Sequence, residues 1–328
     1  MPAEWEPHER CLMAWPTRAS LWGPHLEQAR QEYAETANAI AAFEPVTMVT
    51  APGQGEQVRA ACAGAVDVVE LDIDDSWLRD SGPIFVVDGN GDRRGVDFRF
   101  NSWGEKYLPY DRDAALTSVL LERMGVPRVG SDMVLEGGAI TVDGEGTLIT
   151  TEQCLLNPNR NPGMSRAQIE DELRRKLGVT MIVWLRWGLD EDEDTDGHVD
   201  GVCTYVRPGV VIAQICEDAA NRNADLMAQN LAILRDARDA RGRPIEVIEL
   251  PQLPYFDVGG VEIGGSYPNF YVANGGVVVP IGDHPLDADA LAIIRSAFPD
   301  REVVGVPSRV IAYGGGGTHC ITQQVPRG

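Results

Sequence analysis

Basic residues are scarce in this chain. Its 328 residues hold 28 Lys and Arg against 50 Asp and Glu, a formal net charge of −22 and a sequence pI near 4.5. A surface that binds nucleic acid or an anionic membrane has to be basic, so neither is expected as a partner. The same acidic field attracts a small cation, although solubility alone also accounts for an excess of carboxylates. Cysteine is sparse and scattered. The six residues, at 11, 62, 154, 203, 216 and 320, form no Cys-x-x-Cys pair and no Cys/His group at zinc spacing. They read as free thiols in a reducing compartment, those other than Cys320 as small buried apolar groups. No apolar run approaches the roughly 18 residues of a membrane span. The opening Met1-Pro-Ala-Glu-Trp-Glu-Pro-His8 also lacks the basic and apolar regions of a secretory signal. A cytoplasmic location is expected.

The remaining composition, 44% hydrophobic and 24% charged, is that of a globular domain large enough to fold without a disulfide or a metal. Helical periodicity runs through 27–43, 114–124, 166–177, 219–238 and 287–298. Between these lie short Val/Ile-rich runs at 46–50, 66–71, 84–87, 148–150, 181–185, 210–215, 245–250, 277–281 and 303–306. The fold class is therefore α/β. Hairpin signals occur at Asp88-Gly89, Asp143-Gly144, Pro208-Gly209 and Asn274-Gly275, each between two apolar runs. Ahead of each turn a polar residue opens a strand: Asp80, Glu136, His198 and, more weakly, Ser266. Cys320 opens the last apolar run. These openings are 56, 62, 68 and 54 residues apart. About five units of about 60 residues would fill the chain, a period typical of propellers and arrays. If equivalent strands converge, an Asp, a Glu, a His and a Cys meet at the centre.

Cys320 follows Gly314-Gly315-Gly316-Gly317-Thr318-His319. Four successive glycines allow backbone to approach backbone or ligand closely, at an entropic cost that calls for a reason. No Gly-Lys-Ser/Thr follows, so a phosphate cradle is not supported. The acidic run Asp190–Asp194 reads as a solvated loop. Asp192, Asp194, Asp196 and Gly197 imitate the start of a calcium loop, but Cys203 stands where its bidentate Glu belongs. His198 and Asp200, two apart at the start of a strand, share one face.

These residue types suit one reaction. A guanidinium is a planar fork of donors that two carboxylates hold bidentately. A thiolate can attack its central carbon while a His handles the protons. A further carboxylate favours the charged imidazole, and a cation beside the thiol lowers its pKa. Asp80 and Asp200 supply the clamp, Glu136 the orienter, His198 the acid/base and Cys320 the nucleophile.

At these residues the chain resembles the agmatine deiminases, guanidine-modifying enzymes of the bacterial peptidylarginine-deiminase-like family with the pentein fold, a five-bladed α/β propeller. The resemblance is carried end to end by Met1–His8, Phe43-Glu-Pro-Val-Thr47, Asp75-Ser-Trp-Leu-Arg-Asp-Ser-Gly-Pro83, Arg94-Gly-Val-Asp-Phe98, Val134-Leu-Glu-Gly-Gly138, Glu152-Gln-Cys-Leu-Leu-Asn157, Asp194-Thr-Asp-Gly-His-Val-Asp200, Asn269-Phe-Tyr271 and His319-Cys-Ile-Thr-Gln-Gln324. It implies a single catalytic domain over 1–328 and a covalent amidino intermediate on Cys320. His198 would be the acid/base with Glu136 its partner, Asp80 and Asp200 would bind the guanidinium, and Trp77 would border the substrate channel. The implied reaction turns agmatine into N-carbamoylputrescine and ammonia on a route to putrescine, in a homodimer, with no metal or organic cofactor. The chain departs from the family at Gly317-Thr318, where Asn-Ile is usual, and at Gly201, where Asn is common. The segments after Trp103 and over Leu253–Ser266 are also short. A deiminase of arginine, methylated arginine or peptidyl arginine is the alternative, with Arg79 or Arg99 as candidate carboxylate partner. A non-catalytic pentein that binds a macromolecule would have no use for the five polar residues together.

Overall fold

The periodicities resolve into a repeated β-hairpin, helix, strand unit. The computed structural model describes residues 1–62, 64 and 66–328. Arg166–Leu177 illustrates how a helix is set. Ser165 accepts from the Gln168 N–H in a capping box, Ile169, Leu173 and Leu177 bury one stripe, and Gly178 (φ 71°) ends the helix in the left-handed region. The two-residue turns Pro208-Gly209 and Asn274-Gly275 each place their glycine at positive φ, 75° and 87°, which a hairpin of this length demands.

Each hairpin pairs antiparallel, and its second strand then takes a parallel neighbour after a helix. Ile84–Val87, Arg93–Arg99 and Arg128–Val134 form the first such sheet. Thr141–Val142, Thr147–Thr151 and Met181–Leu185 form the second, and Cys203–Arg207, Val210–Ile215 and Glu246–Pro251 the third. Tyr271–Ala273, Gly276–Ile281 and Glu302–Pro307 form the fourth. The fifth joins the ends of the chain: Thr322–Pro326 pairs antiparallel with His8–Ala14, which runs parallel to Val46–Thr50, and Val66–Glu70 adds a fourth strand. A separate hairpin, Leu253–Val258 with Val261–Gly265, lies outside this pattern. The middle strands of the third and fourth sheets, Val210–Ile215 and Gly276–Ile281, are nearly continuous apolar runs because sheet and helix cover both faces. The strands that sequence periodicity missed are the first members of three hairpins, the polar Arg93–Arg99 and Arg128–Val134, both strands of the separate hairpin, and the two strands at the chain ends, which are defined by pairing partners far away in the chain.

The polar residues expected to open strands do not. Asp80 sits in the short helix Leu78–Ser81. Glu136 precedes the 3-10 turn Gly137–Ala139, and His198 precedes the 3-10 turn Val199–Gly201 that carries Asp200. Cys320 stands just before the strand Thr322–Pro326. His198 and Asp200 therefore owe their common direction to a tight helical turn rather than to strand pleating.

Three of the motif segments build a lock between the fifth and fourth sheets. Buried Glu44 accepts from the Asn274 N–H at 2.7 Å and the Tyr271 hydroxyl at 2.7 Å, with His8 Nδ1 3.1 Å away. Asn274 in turn bonds the His8 backbone in both directions. A buried donor left without its acceptor loses its full hydration. Glu44→Ala is therefore expected to lower stability by about 2–5 kcal/mol in urea denaturation; a loss below about 0.5 kcal/mol, the size of an ordinary surface change, would contradict the lock.

Candidate active site

The segments that precede the first strand of each sheet meet, and two glycines make the meeting possible. A Cβ on Gly137 would lie 2.3 Å from the Arg79 carbonyl, and one on Gly138 would lie 2.5 Å from His198 Nδ1 and 2.8 Å from Asp200 Oδ2. Only bare backbone fits there. The Gly138 N–H donates to Asp80 Oδ1 at 3.0 Å, and the Trp103 indole donates to Asp80 Oδ2 at 2.9 Å. To aim that indole, Ser102 and Trp103 hold φ of 54° and 55°, a strained region for residues with side chains. Asn101 and the Tyr107 carbonyl brace the turn.

Around this point lie all five residues expected from the sequence. His198 is 2% exposed, with Nδ1 3.9 Å from Asp80 and Nε2 3.8 Å from Glu136, and neither nitrogen has a hydrogen-bond partner among the described residues. Glu136 is fully buried and accepts from Arg160 Nε at 2.6 Å. Cys320 Sγ lies 3.5 Å from Asp200 Oδ2, and Asn269 Nδ2 donates to it at 3.2 Å. Trp77 stacks on Trp22 with ring centres 5.7 Å apart and lines a small recess with Asp80, Trp103 and Cys320. Gly314 and Gly316 exist for this stack, since their Cβ atoms would fall 2.4 and 2.5 Å from the two indoles.

Ser266, the weaker fourth opening, donates to the Gly201 carbonyl instead. The fourth sheet's contribution to the thiol is Asn269, three residues on, which also accepts from the His319 N–H. Sequence reasoning missed it, although it begins one of the resemblance motifs. Arg160, Cys154 and Glu4 were missed as well. Their partners are 24, 44 and 315 residues away, and no local pattern links them.

Burial opposes every charge here, so the surviving charges are those with partners. At Glu136 burial is outweighed by Arg160 and then His198, which hold its carboxyl below the usual range. At Asp200 burial is outweighed by His319, again lowering the pKa. Asp80, pushed up by burial and only partly relieved by His198, sits above the usual range. His198 resists burial through Asp80, Cys154 and Glu136 and titrates well above an ordinary imidazole. The Cys320 thiol is driven well above its ordinary pKa by burial, then by Asp200 and Asp80. At rest the site is a charged imidazole beside a neutral thiol.

Cys154 is not the inert filler expected of it. Its sulfur, a Glu136 oxygen and a His198 nitrogen lie within 4.8 Å of one another. A thiophilic divalent cation takes such donors, but the Arg160 guanidinium, bonded to Glu136 Oε1 at 2.6 Å, would set like charge beside a metal there. The acidic loop is not simply solvated either. Asp192 accepts from the His198 and Thr195 N–H groups, and Asp196 pairs with Arg160 at 2.7 Å and Lys106 at 2.8 Å. Those carboxylates shape the loop and are not free to ring a calcium ion.

A cavity of about 210 Å³ leads to Cys320 and Asp200. Glu191, Asp192, Asp194 and Glu262 are on its wall, together with Gly201 and Gly317, two of the departures from the resemblance. Among the described residues that line it there is no Lys or Arg. Arg79 is buried against Glu4 and Gln324, at 3.3 and 2.8 Å, and Arg99 is exposed on a different surface.

Comparison with known proteins agrees with this geometry. The chain is 47% identical over 350 aligned residues to an agmatine deiminase from Pseudomonas aeruginosa (strain LESB58), covering 99% of this chain and 95% of that protein. It superposes on the agmatine deiminase of Enterococcus faecalis, solved catalysing its reaction, with a TM-score of 0.96 at 35% identity, covering 100% of this chain and 95% of that one. A citrulline complex of DDAH from Pseudomonas aeruginosa is similar with a TM-score of 0.56 at 13% identity, over 97% of this chain and 99% of the other. At that identity the likeness concerns the fold alone, and the fold is the pentein fold that the resemblance implied. Residues 1–326 match the family described as the Porphyromonas-type peptidyl-arginine deiminases, and the chain belongs to that family.

Proposed function

We propose that this chain is an agmatine deiminase, hydrolysing agmatine to N-carbamoylputrescine and ammonia. The observation that carries the reading is the union of a buried thiol, flanked by Asp80, Asp200, Glu136 and His198, with an acidic cavity free of basic side chains. Agmatine is cationic at both ends. An arginine α-carboxylate in the same cavity would meet Glu191, Asp192 and Asp194 with no cation to offset them. The identity to agmatine deiminases over 99% of the chain supports the same substrate.

The guanidinium lies between Asp80 and Asp200, its face toward Trp77. Its positive charge beside Cys320 reverses the field that keeps the thiol protonated, and Cys320 ionises only when substrate arrives, releasing its proton to solvent because His198 is already charged. The thiolate attacks the guanidinium carbon. His198, charged at rest, gives its proton to the departing nitrogen, which leaves as ammonia, and the carbon remains bound to sulfur as an amidino thioether. The now neutral His198 takes a proton from the incoming water. The second tetrahedral centre collapses, the C–S bond breaks, and the urea oxygen of the product comes from water. Glu136, anchored by Arg160, holds His198 in its charged form between turns. The reading takes 1–328 as one catalytic domain, since segments from all five sheets reach the thiol or its neighbours. Its homodimeric state rests on the family resemblance, and its cytoplasmic location on the scattered, unpaired cysteines. Among the described residues no helix is long and apolar enough to cross a membrane.

Two measurements test this. With agmatine and arginine supplied separately, ammonia is expected from agmatine, with Cys320→Ala reducing the rate by about 10⁴-fold or more. Ammonia from arginine at a comparable rate would overturn the substrate, and a Cys320→Ala enzyme of near-normal rate would overturn the nucleophile. The second is thiol reactivity without substrate. Asp200→Asn removes a negative charge 3.5 Å from Sγ, so the thiol pKa falls and alkylation of Cys320 by iodoacetamide at neutral pH rises about tenfold for each unit of the fall. An unchanged or slower rate would contradict the electrostatic account.

A further inference from the structure

His319, the residue beside the nucleophile, takes no part in the chemistry above, yet it is more tightly held than His198. Its Nδ1 lies 2.8 Å from Asp200 Oδ2 and its Nε2 lies 2.8 Å from Glu4 Oε1, with the side chain 5% exposed. Both ring nitrogens face carboxylate oxygens, so both have to donate. A neutral imidazole would aim a lone pair at one of the two carboxylates. Glu4 is itself fixed by Arg79, whose Nη1 is 3.3 Å away, and Arg79 is 2% exposed. A chain Arg79–Glu4–His319–Asp200 thus runs from the opening segment of the sequence to a carboxylate 3.5 Å from Cys320 Sγ.

We infer that His319, clamped by Glu4, is a positioning residue that keeps Asp200 ionised and turned toward the substrate. The inference rests on the reading of Asp200 as a guanidinium ligand. The charged and titratable groups facing His319 are Glu4, Asp200, Arg79 and the adjoining Cys320, and those facing Asp200 are His319, His198, Asp80, Asp192, Arg79 and Cys320. Against burial, Asp200 has three nearby cations in His319, His198 and Arg79, and of these His319 is the one that hydrogen-bonds it, at 2.8 Å. With Oδ2 tied to His319, Oδ1 is left for the guanidinium. The arrangement also gives the opening segment of the chain a purpose. Glu4 stands there as the counter-ion that keeps His319 charged, and burial is outweighed by His319 and Arg79, which pull its carboxyl down to about 2.

The sign of the pH effect follows. Removing a cation from beside Asp200 raises its pKa, so the acidic limb of kcat/KM moves to higher pH. His319→Gln and Glu4→Gln are expected to raise KM for agmatine about tenfold, change kcat less than about threefold, and shift that limb up by about one unit. A purely structural role would lower kcat through fewer folded sites with KM and the limb unmoved, and that result overturns the inference. NMR of ¹⁵N-histidine-labelled enzyme decides independently of turnover. The His319 signals, assigned by their loss in His319→Gln, are expected to show both nitrogens protonated at neutral pH, with their titration moved downward in Glu4→Gln. A neutral His319 at pH 7 would overturn the inference even where the kinetics agreed. An enzyme inert toward agmatine in every form would instead sink the functional reading, leaving the NMR result to stand by itself.

Discussion

Four carboxylates are buried within reach of one another in this protein, and the rest of the site is arranged around that cost. Glu4, Asp80, Glu136 and Asp200 are each at most 8% exposed. Each ion removed from water costs several kcal/mol unless paired and hydrogen-bonded. The chain supplies Arg160 to Glu136, Arg79 and His319 to Glu4, and His319 to Asp200. Asp80 receives two neutral donors, the Gly138 N–H and the Trp103 indole, and His198 stands 3.9 Å off. One more cation is therefore welcome between Asp80 and Asp200. In the proposed mechanism, substrate recognition and thiol activation are a single electrostatic event, since the guanidinium charge bound between the carboxylates also lowers the pKa of Cys320.

Such a cluster can be assembled because no single element has to hold it. Each sheet contributes one short segment, and the strained or glycine-bearing turns bring those segments into contact. Gly138 presents an N–H where any side chain would strike His198, and Trp103 accepts a left-handed backbone so that its indole reaches Asp80. Rigid parallel strands behind these turns hold the strain in place. The Glu44 lock performs the corresponding structural task at the seam between the fourth and fifth sheets.

The repeat, the α/β class and the five polar residues were legible in the sequence because they depend on local signals: hairpin turns, helical periodicity and polar residues at a recurring interval. Arg166–Leu177 and Val210–Ile215 were readable to the residue for the same reason. The pairing of His8–Ala14 with Thr322–Pro326 depends on residues some 300 apart, and nothing in either segment announces the other. Asn269 was hidden because its role is set by the carbonyl and amide it offers to His319 and Cys320 across two sheets. The acidic run Asp190–Asp194 was read as solvated because charge alone does not reveal that Asp192 is consumed by the Thr195 and His198 backbone donors. Cys154 was taken for packing, since only the fold brings it beside His198.

The central claim is that Cys320 becomes a nucleophile toward a guanidinium held by the buried carboxylates. It is tested most directly by quenching the enzyme in acid during turnover of agmatine and examining the peptide that carries Cys320 by mass spectrometry. The account predicts an adduct on that peptide with the mass of agmatine less ammonia, forming within the first turnover and absent without substrate. Steady turnover of agmatine with Cys320 unmodified at every quench time, in an enzyme whose hydrolysis step has been slowed enough for the adduct to accumulate, would contradict it.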